Sequence, residues 1–184
     1  MLLCGGTALL LGRIDRSAVE SRLLRQSRQG NWKAAVALLD ELVENGAVTT
    51  TAHNNAAAAC SRAGQHGRAL SLLKKLRDRG GVWDSYSFTT AVTVHGRRGE
   101  WQTALKVLRQ MERSSDSPPP NEFVYGAAIG ACAASAQWSD AIRLLKKMEA
   151  AGIQPTTRCY NGNGGLFSTT KRRGHMRSLV TSVV

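Results

Sequence analysis

The chain has 184 residues, 42% of them hydrophobic, enough apolar material for one folded domain and too much for a disordered chain. Its 25 Lys and Arg against 13 Asp and Glu give a net charge of +12, which points to a polyanionic partner, nucleic acid ahead of an anionic membrane surface. No run approaches the roughly 20 apolar residues that span a bilayer. The four cysteines, Cys4, Cys60, Cys132 and Cys159, lie far apart and form no C-x-x-C pair, which argues against a zinc knuckle or a disulfide-stapled secreted domain and fits a reducing compartment.

Residues 1–15 open with MLLCGGTALLLG, apolar but without the leading positive charge of a signal peptide. A cleaved organellar leader and a ragged start both fit them. Residues 16–29 read as a helix of weak pattern. From Gly30 onward GNWKAAVALLDELVENG is amphipathic, with Ala35, Val36, Leu38, Leu39 and Leu42 on one face of a 3.6-residue turn. Residues 51–62 follow, rich in alanine and therefore strongly helical, with thin side chains that let neighbouring helices approach. A second amphipathic segment, GQHGRALSLLKKLRDRG, starts at Gly64, with Ala69, Leu70, Leu72, Leu73 and Leu76 in the same columns and Lys74 and Lys75 on the solvated side. Residues 86–98 carry Thr89, Thr90, Thr93 and Val94, which have poor helix propensity, so a helix there is expected from the pattern of its neighbours. A third copy starts at Gly99, residues 123–134 form another alanine-rich segment, and a fourth copy starts at Ala136 with Lys146 and Lys147 facing water. After residue 157 the pattern dissolves into Gly162-Asn163-Gly164-Gly165 and a basic tail. No strand precedes that glycine run and no GK[ST] follows it, which argues against a phosphate loop.

The four amphipathic copies start at Gly30, Gly64, Gly99 and Ala136, a period of about 35 residues. A period of this length with two helices per copy implies stacked hairpins, since one hairpin cannot cover its own apolar face and several together bury a continuous seam. The expected fold is all-α, a right-handed α-solenoid of helix-turn-helix repeats.

Gln154-Pro155-Thr156-Thr157-Arg158-Cys159-Tyr160-Asn161 resembles the Pro-Asp-x-x-Thr-Tyr-Asn opening of pentatricopeptide repeats, and Pro120-Asn121-Glu122-Phe123-Val124-Tyr125-Gly126 repeats the pattern. The W-x2-L-G-x2-Y pattern of tetratricopeptide repeats, the chief rival, is absent. Trp32, Trp101 and Trp138 instead stand just inside the second helices, where packing is their expected role. Counted in the family's register, the chain divides into a leader or ragged end at 1–15, hairpins at 16–49, 50–84, 85–121 and 122–156, and a degenerate start with a basic tail at 157–184.

The resemblance implies single-stranded RNA as ligand, one repeat per base, with position 5 and the last residue of each repeat reading the base. Asn54 with Asp84 then corresponds to a uracil pair and Thr89 with Asn121 to an adenine pair, a 5′-UA step. Gly126 with Thr156 and Glu20 with Thr49 are assigned no base. Position 2 of the family packs on base faces and here holds Thr51, Tyr86, Phe123 and Arg158; Tyr86, Phe123 and Arg158 are the stacking candidates, with seam packing as the alternative for the two aromatics. Phosphate contacts are expected from Arg62, Arg97 and Arg98 at the ends of first helices and from Lys171, Arg172, Arg173 and Arg177 in the tail. His53 takes the place of the usual tyrosine before the asparagine and is expected to pack or cap. The histidines show no metal spacing and acids are sparse, so no enzyme, cofactor or metal is expected. Other RNA-processing proteins are expected partners, in a mitochondrion or plastid by family, with the cytoplasm as the alternative. A protein-binding scaffold and a piece of a longer repeat protein remain the competing readings.

Overall fold

The computed structural model describes residues 15–156 and Cys159. Its described part consists of eight helices: α1 Arg16–Gln29, α2 Trp32–Glu44, α3 Thr50–Arg62, α4 His66–Asp78, α5 Ser85–Arg97, α6 Trp101–Arg113, α7 Glu122–Ala134 and α8 Trp138–Ala150. They pair as four antiparallel hairpins. The odd-numbered helices pack on one another in sequence, α1 on α3, α3 on α5 and α5 on α7, while α2, α4 and α6 each pack on their own partner and on the next odd helix, and α8 packs on α7. The closer-packed odd layer therefore lines the inside of the curve and the even layer forms the outer wall, as in an α-solenoid.

The expected columns supply the core. Leu39, Leu73, Leu108 and Leu145 hold the same place in the four second helices and are all buried, as are Ala35, Ala69, Ala104 and Ala141, where a methyl group lets the helix approach its neighbour. Each such leucine contributes about 1.5–3 kcal/mol by leaving water. The threonine-rich α5 forms in full, because Phe88, Ala91, Val92 and Val94 are buried in the seams and tertiary packing outweighs its weak propensity. Trp32, Trp101 and Trp138 are the first residues of α2, α6 and α8 and pack against the core as partly buried side chains.

Hairpin turns repeat with the same chemistry. At the end of each first helix one residue takes a left-handed conformation: Gly30 (φ 73°), Gly64 (φ 74°), Gly99 (φ 74°) and Ala136 (φ 58°). Each of these turns closes with the same paired hydrogen bonds, for example Gly64 N–H to the Ser61 carbonyl and Gln65 N–H to the Cys60 carbonyl, a Schellman ending that satisfies orphan carbonyls. The long step between the third and fourth copies has a different origin. Residue Ser114, after α6, is extended rather than left-handed, and the chain runs on through Ser117-Pro118-Pro119-Pro120 before α7 begins.

α3, α5 and α7 begin one residue earlier than the sequence pattern suggests, and the residue ahead of each first helix is an N-cap. Asp15 accepts from the Ser17 and Ala18 amides, Thr49 from Ala52, Asp84 from Ser87, and Asn121 from Phe123 and Val124. Such caps contribute about 1 kcal/mol each. The odd layer is tightest between α5 and α7, where a Cβ built on Gly96 would lie 2.7 Å from the Ala131 Cβ.

Candidate nucleic-acid interface

The inner surface of α3, α5 and α7 opens into a groove of about 560 Å³ lined by Ala58, Arg62, Tyr86, Thr89, Thr93, Arg97, Asn121 and Phe123, among others. Tyr86 and Phe123 are 44% and 53% exposed, so they do not fill the seam between hairpins. Both are the second residue of their helix, one repeat apart, and flank Thr89 and Asn121. The groove therefore brings together six of the residues expected to act on RNA, Thr89, Asn121, Tyr86, Phe123, Arg62 and Arg97.

Two of the position-5 residues bond directly to the cap that ends the same repeat. Thr49 Oγ1 donates to Glu20 Oε1 at 2.8 Å. Asn54 Nδ2 donates to both carboxylate oxygens of Asp84, at 2.9 and 3.0 Å, and Asn54 Oδ1 accepts from the Ser87 hydroxyl at 2.8 Å. Asn54 is only 2% exposed whereas Asp84 is exposed. An asparagine so placed offers the groove nothing in this conformation, and the exposed group of the pair is the Asp84 carboxylate, an acceptor. Asn121 differs. Its Oδ1 is held by the two cap amides, which turns the amide NH2, a donor, away from the helix. Thr89 Oγ1 donates back to the Ser85 carbonyl at 2.7 Å. Beside Gly126 the buried Cys159 Sγ stands 3.5 Å from where a Cβ would be, and Thr156 Oγ1 is 3.7 Å from that sulfur.

The arginines expected at phosphates are not equivalent. Arg62 Nη1 donates to the carbonyl and hydroxyl of Ser27 at 2.6 and 3.0 Å, and Arg97 Nη1 donates to the Ser61 carbonyl at 2.7 Å. Each ties the end of one first helix to the end of the preceding one, while the rest of the exposed guanidinium faces the groove edge. Arg98 pairs instead with Glu100 at 2.7 Å, on the side of the hairpin turn, where His95 also holds the Glu100 carboxyl below its usual range. Arg158, Lys171, Arg172, Arg173 and Arg177 lie outside the described residues.

Two features of the site were not drawn from the sequence, and a third, His53, keeps the packing place expected of it. The last residues of the first three repeats, Thr49, Asp84 and Asn121, are also helix caps, a role that Asp84 and Asn121 would serve with no ligand at all. Trp83, in the linker before α5, is wedged by three contacts: its Nε1 donates to the Leu73 carbonyl at 3.0 Å, it meets Phe88 edge-on at 5.1 Å, and the Arg77 guanidinium covers it at 4.1 Å. It thereby fixes the approach of the chain to Asp84. His53 is buried and its Nδ1 donates to the Thr49 carbonyl at 3.3 Å; it sits in one column with Val19, Phe88 and Tyr125, all buried. The signal for that column was the alternation of apolar residues with the position-5 residues.

Among the described residues no group of His, Cys, Asp and Glu is placed to hold a metal ion, and no described helix is long and apolar enough to cross a membrane.

The sequence matches the family model of the PPR repeat over residues 52–81, 86–115 and 123–153; hairpin α1–α2 lies outside these matches. It is 32% identical over 124 residues to the pentatricopeptide repeat-containing protein 10, chloroplastic, of Zea mays, an alignment covering 66% of this chain and 16% of the maize protein. The structure is similar to the crystal structure of maize PPR10, with a TM-score of 0.59 and 29% identity, covering 78% of this chain and 20% of that one. It is also similar in fold, with a TM-score of 0.70 and 18% identity, to the PPR domain of Arabidopsis thaliana protein-only RNase P 1 in complex with tRNA, covering 91% of this chain and 88% of that one. The chain thus spans about a sixth of the length of the maize relative.

Proposed function

This chain belongs to the pentatricopeptide repeat family, and from that premise we propose that its inner groove binds single-stranded RNA and reads a 5′-UA step without acting on it chemically. The observation that carries the reading is the pair of exposed aromatics, Tyr86 and Phe123, one repeat apart on the groove wall, where a flat base would be stacked from either side. The maize PPR10 structure with an 18-nucleotide psaJ RNA element has the same fold, at a TM-score of 0.65 and 24% identity.

The capping geometry suggests how each base is chosen. Uracil presents an N–H at N3 and cytosine an acceptor there, so the Asp84 carboxylate favours uracil and repels cytosine. Asn54, buried behind it, acts as the residue that fixes the carboxylate and not as one that touches the base. Adenine presents an acceptor at N1 and guanine an N–H, so the outward NH2 of Asn121 favours adenine. Arg62 and Arg97 neutralise phosphates along the groove edge. We further propose that hairpin 16–49 acts as the first repeat and that the chain works in an organelle, as the chloroplastic maize relative suggests, beside proteins that supply any catalysis.

The test is binding of the purified chain to labelled single-stranded RNAs with and without UA, across a salt series. Asp84→Asn is expected to relax uracil preference and Asn121→Asp to relax adenine preference, while both substitutes still cap. Asn54→Ala is expected to weaken uracil preference less than Asp84→Asn. Tyr86→Ala with Phe123→Ala is expected to weaken every sequence by about 1–3 kcal/mol per stacked base. No binding at low salt would sink the reading and leave a protein-binding scaffold.

A further inference from the structure

The outer wall carries a second set of cations. Lys106, Arg109 and Arg113 are exposed along one stripe of α6, about 10 Å from end to end at 1.5 Å rise per residue. No carboxylate among the described residues pairs with any of them, whereas nearby Arg143 is taken by Asp140 and Lys147 by Glu112. The stripe borders two adjoining depressions of about 530 and 320 Å³, which share Lys106 and Arg109. Arg109 also belongs to a row across the wall: Lys74 and Lys146 hold the same ninth place in α4 and α8, and only in α2 does that place turn acidic, as Asp40.

We infer that this outer band is a second, sequence-blind RNA site, gripping the phosphodiester backbone of strand that runs beyond the segment held in the groove. Unpaired cations at exposed positions repel one another, and apart from Arg113, which favours the helix dipole from the last turn of α6, they stabilise nothing within the fold, so a polyanion is the partner that makes use of them. A folded protein partner fits poorly, because docking surfaces rely on exposed aromatic or aliphatic anchors. The large exposed apolar residues, Leu24, Val82, Tyr86 and Phe123, all lie off α4, α6 and α8. The inference rests on RNA being the ligand but is independent of how the groove reads bases.

The full chain and its Lys106→Gln/Arg109→Gln/Arg113→Gln variant are compared for binding to a UA-containing hexanucleotide and to an unstructured 30-nucleotide RNA, each across a salt series. Circular dichroism checks that the variant, altered only at exposed positions, stays folded. With the 30-mer, the variant's log affinity should fall less steeply with log salt, by about 2 in slope at 0.7 per released counterion. Between 50 and 200 mM salt that is about 20-fold less loss. Hexanucleotide affinity should not change by more than about 2-fold. An unchanged slope with the 30-mer overturns the inference, even if the variant loses binding to polyglutamate, which would make the band a site for acidic protein segments. A lowered slope with a hexanucleotide that never binds keeps the outer band and removes the groove reading instead.

Discussion

Ala136 is the one non-glycine residue with positive φ among the described residues, at 58°, and it holds the place occupied by Gly30, Gly64 and Gly99 in the other three turns. A left-handed alanine costs roughly 1–2 kcal/mol through the clash of its own Cβ with the backbone. Ala136→Gly removes that cost and adds the greater freedom of glycine in the unfolded chain, an opposing effect of about 0.4–1 kcal/mol. The expected net gain is about 0.5–1 kcal/mol, or about 1–4 °C in Tm for a chain of this size. The reverse changes, Gly64→Ala and Gly99→Ala, should each cost about 0.5–1 kcal/mol. Nothing stands within 4 Å of a Cβ at either glycine, so backbone conformation alone is tested. Urea unfolding followed by circular dichroism gives the midpoints. If Ala136→Gly lowers the midpoint while the two alanine variants leave it unchanged, the reasoning from left-handed strain is refuted.

Gly96→Ala should destabilise by about 1–3 kcal/mol through overpacking against Ala131, and adding Ala131→Gly should recover part of the loss, measured as a double-mutant cycle in urea. Burial holds the His53 imidazole below its ordinary pKa, helped by Arg79 and Lys75 and opposed by the Thr49 carbonyl. The unfolded chain therefore takes up a proton near pH 6.5 that the folded chain refuses, and stability should fall as pH drops below that value; in His53→Phe this part of the acid slope should vanish from Tm measured against pH. The Tyr125 phenol is pushed up to about 12 by burial and by the Glu112 carboxylate that accepts a hydrogen bond from its O–H. Its unfolded form ionises near 10, so stability should be lost as pH rises from about 10 to 12, and Tyr125→Phe should flatten that alkaline limb.

The helices were legible because a face of leucines and alanines recurs every 35 residues, and α1 at residues 16–29 matches its expected bounds. The first helices were read one residue short at their start, because Thr49, Asp84 and Asn121 act through backbone amides that no hydrophobic pattern registers. The aromatic pair was legible as a choice between stacking and packing, and exposure of Tyr86 and Phe123 favours the former. Burial of Asn54 was not legible. It follows from bonds to Asp84 and Ser87, about 30 residues away in sequence, and contacts across a repeat boundary leave no local trace. Arg97 and Arg98 are adjacent and alike in sequence, yet a helical step of about 100° sends one to the Ser61 carbonyl and the other to Glu100.

Asp84 and Asn121 each serve two masters, since the side chain that closes one repeat also starts the next helix. Only a residue that satisfies amide donors at a helix start is free to stand there, which narrows the choices to Asp, Asn, Ser, Thr and, more weakly, Gly. Under the proposed reading, the vocabulary of such an array at this position is set by the grammar of helix initiation before any base is met. A recoded junction that ignores it would misfold locally at the following hairpin, so loss of affinity one repeat downstream would be mistaken for a change in preference.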